Sequence, residues 1–165
     1  DVSYGVCGCV SPWHCVYPYP RVRMSPSYPF WSEMIQAHGT MGLLAFQGDT
    51  CAGMITFLPK IVARRIGYAT CRTNDQLERT LSIICINVGR TELRKGRASA
   101  LLRAAEDYAR ANGYVRIEAF AAEEEADEQR LHWQSAGLFA RHDYKRDPDT
   151  RGPWWTPQLF YRELV

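Results

Sequence analysis

The chain of 165 residues is 46% hydrophobic and 23% charged, with a formal net charge of +2. That length suits one ordinary domain with enough chain to bury a core, and the composition excludes wholesale disorder. The longest apolar runs, MGLLAF and LSIICINV, fall far short of the roughly 20 residues a membrane-spanning helix needs. The small, dispersed charge argues against nucleic acid as the partner. The opening DVSYGVCGCV lacks a basic segment followed by an apolar one, so the expectation is a cytoplasmic protein with one domain over 1–165 and no secretory leader.

Residues 1–31 are rich in cysteine, aromatic residues and proline (SPWHCVYPYPRVRMSPSYPFW) and read as an irregular, extended opening. Within them Cys7, Cys9, His14 and Cys15 gather soft ligands. C-x-C followed by a close His-Cys is not the usual zinc spacing, so thiols without a metal are expected. Cys51, Cys71 and Cys85 sit in apolar surroundings and read as small hydrophobes in a reduced protein.

Ser32 to His38 reads as a short helix stopped by Gly39. MGLLAFQGDTCAGMITFLP gives two apolar runs about the polar turn QGDT, a hairpin. Positions 60 to 80 are polar and basic and read as a loop, whereas TLSIICINV is a β-branched, buried strand. From Ala98, apolar or small residues at Leu101, Leu102, Ala105, Tyr108 and Ala109 mark one face of a helix that Asn112 and Gly113 end. YVRIEAF then alternates as a strand, so strand, turn, helix and strand form a crossover unit on a sheet.

The turn between strand and helix concentrates Arg94, Lys95 and Arg97 about Gly96. A helix start exposes unbonded N–H groups and partial positive charge, and glycine lets a ligand approach the backbone. That combination suits phosphates, most simply a pyrophosphate, and equally describes a basic, solvated helix start. Neither GxxxxGK[ST] nor GxGxxG is present, which counts against nucleotide kinases and dinucleotide dehydrogenases.

The strand SIICINV, the turn GRTELRKGRA and the helix SALLRAAEDYARANGY resemble the acetyl-CoA-binding core of the GNAT superfamily of N-acetyltransferases. The family turn [QR]-x-x-G-x-[GA] is matched by LRKGRA, with Gly96 and Ala98 in place and Leu93 where Gln or Arg is usual. EQRLHWQSAGLFARHDY resembles the later helix ending in FYEKLGF, and PQLFYREL the closing strand, so the resemblance spans about residues 38–163. It implies an α/β (α+β) fold with a mixed, mostly antiparallel central sheet, a splayed strand pair and flanking helices.

The function implied is transfer of the acetyl group of acetyl-CoA to a primary amine of a small molecule or peptide, without a metal. The alternative is a weakly active acyl-CoA sensor regulated through Cys7, Cys9 and Cys15. The protein is expected as a monomer or homodimer. By the same resemblance Ile86 and Val88 would take the pantetheine arm, and Arg94, Lys95, Gly96, Arg97, Ala98 and Ser99 the phosphates.

Trp133 stands where many relatives carry a tyrosine acid, so the proton chemistry needs other residues. Glu118 on the RIEAF strand is a candidate base, acting directly or through water, against a hydrogen-bonded structural role. Ser82 could hold a water. His132 has a suitable intrinsic pKa, and Tyr144 could replace the missing acid, each against a plain packing role. Cys85 lacks a visible base and reads as core, while the acidic run EEEADE reads as solvated. The acceptor pocket is expected from loops at 60–80 and 145–156.

Overall fold

The computed structural model describes residues 28–65, 76–121, 134–151 and 158–164. The chain divides into two compact units, Asp1–Met41 and Gly42–Val165. In the first, helix α1 spans Tyr28–His38. It begins before the predicted Ser32 because Pro29 falls in the first turn, where a missing N–H is no loss and a fixed φ suits the helix. Its end is where the sequence puts it: Gly39 adopts φ 81 and donates its N–H to Ile35 O at 2.9 Å.

The second unit is built on a six-stranded sheet, β1 (Gly42–Gln47), β2 (Thr50–Pro59), β3 (Thr80–Val88), β4 (Arg116–Ala121), β5 (Lys145–Arg151) and β6 (Gln158–Glu163), in the order β1-β2-β3-β4-β6-β5. Neighbours are antiparallel except β3 and β4, which run parallel and are joined by helix α3, Arg97–Ala111. The predicted hairpin is present as β1 and β2, turning at Gly48, φ 57. The strand, helix and strand of the crossover lie where their periodicities place them.

Two segments differ from expectation. The stretch read as a loop from 60 holds a short helix, α2 (Lys60–Arg65), with Val62 and Ala63 buried, and a 3-10 turn at Leu77–Arg79. Six residues are too few to show a helical period. The segment read as a loop from 145 is β5, KRDPDTR, at the sheet edge. Proline and charge are tolerated on an edge strand, where one side of the ladder needs no partner. Of the later helix, the described part is α4, Ala136–Ala140.

One face of the sheet carries the core. Leu101, Leu102, Ala105 and Ala109 of α3 pack with Ile55, Phe57, Leu81, Ile83, Ile117 and Ala119. Burying a Leu, Ile or Phe contributes about 1.5–3 kcal/mol, which fixes α3 against the sheet and so fixes where its first turn lies. On β3 the register with β2 steps from Thr56–Cys85 to Phe57–Ile83, leaving Ile84 as the extra residue of a β-bulge. The bulge changes the alternation: Leu81 and Ile83 lie in the α3-side core, and beyond it Ile86 and Val88 pack against the same core.

Candidate functional site

The parallel pair parts midway. Register between β3 and β4 runs Thr80–Arg116, Leu81–Ile117, Ser82–Glu118 and Ile83–Ala119, whereas β3 continues to Val88 and β4 to Ala121. The strands therefore separate at the bulge, opening a notch beside Ile84–Val88. Buried Gln134, just before α4, spans its apex: its side-chain amide donates to Ile84 O at 3.5 Å and to Phe120 O at 3.4 Å, the first residue past the paired register on each strand. Ile86 and Val88, expected beside the pantetheine arm, lie on the open length of β3.

Helix α3 starts beyond the notch end of β3. Gly96 is its N-cap at φ 77, with no side chain to bond the helix start, and its carbonyl accepts the first bond from Ala100 N at 2.9 Å. The N–H groups of Arg97, Ala98 and Ser99 thus have no acceptor within the helix. Among the described residues a Cβ built at Gly96 would meet nothing within 4 Å. Arg94 also holds a left-handed backbone, φ 60. The turn presents uncapped amides and the partial positive charge of a helix start beside Arg94, Lys95 and Arg97, of which Arg94 and Lys95 are exposed and Arg97 is half-buried.

On the sheet face opposite α3, Ser82 and Glu118 are register partners, and Ser82 Oγ donates to Glu118 Oε1 at 3.0 Å. The first residue of α2, Lys60, donates from Nζ to Glu118 Oε2 at 2.7 Å, with side-chain exposures of 4% and 2%. Arg116 Nε lies 3.9 Å from the same oxygen, while its guanidinium stacks 3.8 Å over the Tyr161 ring. Glu118 is thus not an open carboxylate on a site-facing surface. It is the buried centre of a cluster in the paired part of the strands, just before they separate, and a direct encounter with an acceptor amine is not served by that geometry.

The other candidates scatter. Tyr144 is 5% exposed, its ring edge-on to Phe139 at 5.1 Å in the α3-side core. Its hydroxyl lies beside Glu106, and burial together with the Glu106 charge pushes the phenol far above its usual range. A phenol held neutral in a core is no acid for the notch. Cys85 is half-buried, and Cys51 is exposed at the hairpin rather than packed as expected. His132, Trp133, the acidic run and Cys7, Cys9, His14, Cys15 and Cys71 lie outside the described residues. Among the described residues no group of three or more His, Cys, Asp or Glu could hold a metal ion, and no helix is long and apolar enough to cross a membrane.

Sequence reasoning missed Lys60 and Gln134. A lone cation inside FLPKIVA signals a buried charge seeking a partner. No local pattern marks Gln134, whose two acceptors come from strands 50 and 14 residues away.

A mixed, mostly antiparallel sheet whose one parallel pair parts beside a glycine-started helix defines the class, the GNAT fold. The chain belongs to the GNAT acetyltransferase family, whose sequence pattern matches residues 10–138. No curated protein matches it. Among solved structures it is similar to yncA, a putative acetyltransferase from Salmonella typhimurium with its cofactor acetyl-CoA, at 18% identity and TM-score 0.57, covering 82% of this chain and 71% of that one. It is similar to the PaiA N-acetyltransferase from Thermoplasma acidophilum in complex with coenzyme A, at 13% identity and TM-score 0.56, covering 84% and 71%. A third is the GphF GNAT-like decarboxylase in complex with isobutyryl-CoA, at 10% identity and TM-score 0.60, covering 89% of each chain. At these identities the likeness is one of fold.

Proposed function

We propose that this chain binds acetyl-CoA and transfers its acetyl group to a primary amine of a small molecule or peptide. The carrying observation is the notch that begins past Ile83 and Ala119 and leads toward an α3 start whose Gly96 is uncapped. An extended arm bearing phosphates fits both features at once, a strand-like chain beside β3 and anionic oxygens at the amides of Arg97, Ala98 and Ser99. Arg94, Lys95 and Arg97 supply cations there, and the backbone of Ile86 and Val88 supplies the strand edge. The family membership and the CoA-bound relatives support the same reading.

Acetyl-CoA supplies the activated acetyl group; the chain supplies position and a proton path. An acceptor amine must lose a proton to become acetamide. Ser82 Oγ, which already donates to Glu118 Oε1, is itself 1% exposed, so its lone pairs take the amine proton only through intervening water and not from the amine directly. As a proton from that water moves to Ser82 Oγ, the serine proton moves to Glu118. Lys60 holds the carboxylate in place, and Gln134 holds the strands apart.

The experiment is thiol release from acetyl-CoA against a panel of polyamines, aminoglycosides, amino acids and peptides. Release that depends on one acceptor class supports the reading and names the class. Tight CoA binding with no release above the uncatalysed rate on any amine overturns the transferase reading and favours a ligand-binding role.

A further inference from the structure

We infer that Glu92 is a displaceable internal counter-ion of the phosphate turn, a residue that sets how tightly the turn holds the phosphates of its donor. The inference rests on the acyl-CoA reading above. Two of the cations that make the turn attractive to phosphate already hold an anion. Lys95 Nζ donates to Glu92 Oε1 at 3.0 Å, and Arg97 Nε donates to Glu92 Oε2 at 3.1 Å. A second nitrogen of Arg97 donates to Gln47 in the β1–β2 hairpin. One carboxylate thus gathers both cations, one on each oxygen, the arrangement by which two phosphate oxygens would take them.

The backbone delivers this carboxylate. Glu92 ends the 3-10 turn Arg90–Glu92, and its N–H bonds Gly89 O at 2.8 Å. Hydrogen bonds from Lys95 and then Arg97 lower its carboxyl below the usual range, so it is an anion wherever the donor's phosphates are. Arg97 is half-buried and tied at both ends, while Lys95 is exposed. Arg94 makes no ion pair among the described residues and remains available for a first encounter.

The consequence is an exchange of anions. A phosphate arriving over Gly96 takes Lys95 and Arg97 from Glu92 rather than finding them bare, and apparent affinity is reduced by the fraction of time the cations are engaged. A ligand with several adjacent phosphate oxygens wins that exchange, because it bonds both cations and the helix amides together. A single carboxylate gains too little to displace Glu92. The same return of Glu92 to its cations speeds departure of the spent CoA.

The test is Glu92→Gln, which keeps the size of the side chain, with urea unfolding to check that the fold is kept and calorimetric titration of CoA, inorganic pyrophosphate and pantetheine. The expected result is CoA and pyrophosphate binding tightened about 3- to 10-fold, the range for losing two solvent-screened pairs, with pantetheine unchanged. In a Lys95→Gln, Arg97→Gln background the effect of Glu92→Gln should fall below about twofold, since Glu92 then has no cation to withhold. Weaker or unchanged binding in the single variant overturns the inference, as does an undiminished effect in the doubly substituted background, which marks a general field. If neither wild type nor variant binds CoA, the donor reading fails, and the pyrophosphate titration alone decides the role of Glu92.

Discussion

Replacing Lys60 by methionine separates a structural from a chemical reading of Glu118. Methionine retains most of the lysine stem, so what disappears is the ammonium 2.7 Å from Glu118 Oε2. The carboxylate is left 2% exposed, with Ser82 Oγ at 3.0 Å and Arg116 Nε at 3.9 Å as its remaining polar partners among the described residues. Removing one member of a buried ion pair costs about 3–5 kcal/mol, because the stranded charge keeps its desolvation penalty. For a chain of this size that is a fall in Tm of about 6–20 °C. Urea unfolding followed by circular dichroism should show the midpoint fall at constant slope. The double variant Lys60→Met, Glu118→Leu strands no charge and should recover most of the loss, giving a large coupling energy in the cycle. A Lys60→Met protein within about 1 kcal/mol of wild type would refute the argument, since it would mean that Glu118 is hydrated and the pair is not the buried junction of α2 and β4.

Glu118→Gln strands the buried Lys60 ammonium and should itself cost about 3–5 kcal/mol of stability; in protein shown by circular dichroism to be folded, turnover is expected to fall about 10²- to 10⁴-fold if the carboxylate ends the proton path, with CoA affinity little changed, and full activity on an identified acceptor removes Glu118 from the catalytic set. Gly96→Glu places a carboxylate at the α3 start at φ 77, so calorimetry should find CoA binding lost while the fold survives a backbone strain of about 1–2 kcal/mol; unchanged affinity refutes the phosphate assignment. Tyr144 ionises far above its usual range in the folded protein, so above pH about 10 only the unfolded chain releases its proton. Stability is then present below that pH and falls as pH rises, by about 1.4 kcal/mol per pH unit for this group. Tyr144→Phe should make that alkaline slope shallower by about half a proton at pH 10, approaching one proton at pH 11, in urea titrations, and an identical slope refutes the burial argument.

The crossover unit was legible because its signals are local. The period of α3, the alternation of β4 and the glycines at 96 and 113 each act within a few residues. The glycine-started turn before α3 was legible for the same reason, since backbone amides at a helix start need only a glycine and a helix to present them. Helix α2 and strand β5 were not legible: KIVARR is too short for a period, and KRDPDTR owes its strand to an edge place beside β6 rather than to its own propensity. The Ser82–Glu118–Lys60 cluster joins positions separated by 36 and 58 residues, so only the sheet register could reveal that two residues singled out separately are hydrogen-bonded partners. Tyr144 illustrates the converse. An apolar position with a polar tip reads the same in a core and in an active site until its neighbours are known.

One extra residue in β3 accounts for much of the site. With Ile84 inserted, β3 bends away from β4 after Ile83, which opens the notch and leaves Ile84 and Phe120 within reach of Gln134. The insertion also resets which side chains face α3. Before it, Leu81 and Ile83 face the core while Ser82 faces Glu118 and Lys60; after it, Ile86 and Val88 keep the core packed along the open length. Without the reset, strict alternation would carry Cys85 and Asn87 toward the α3-side core and turn Ile86 and Val88 outward, since a slip of one residue exchanges the two faces of a strand. The polar cluster below the bulge and the apolar packing above it are therefore compatible in a single strand only because the bulge lies between them. That sets the Ser82–Glu118–Lys60 cluster at the closed end of the notch and the unpaired length of β3 along its open side.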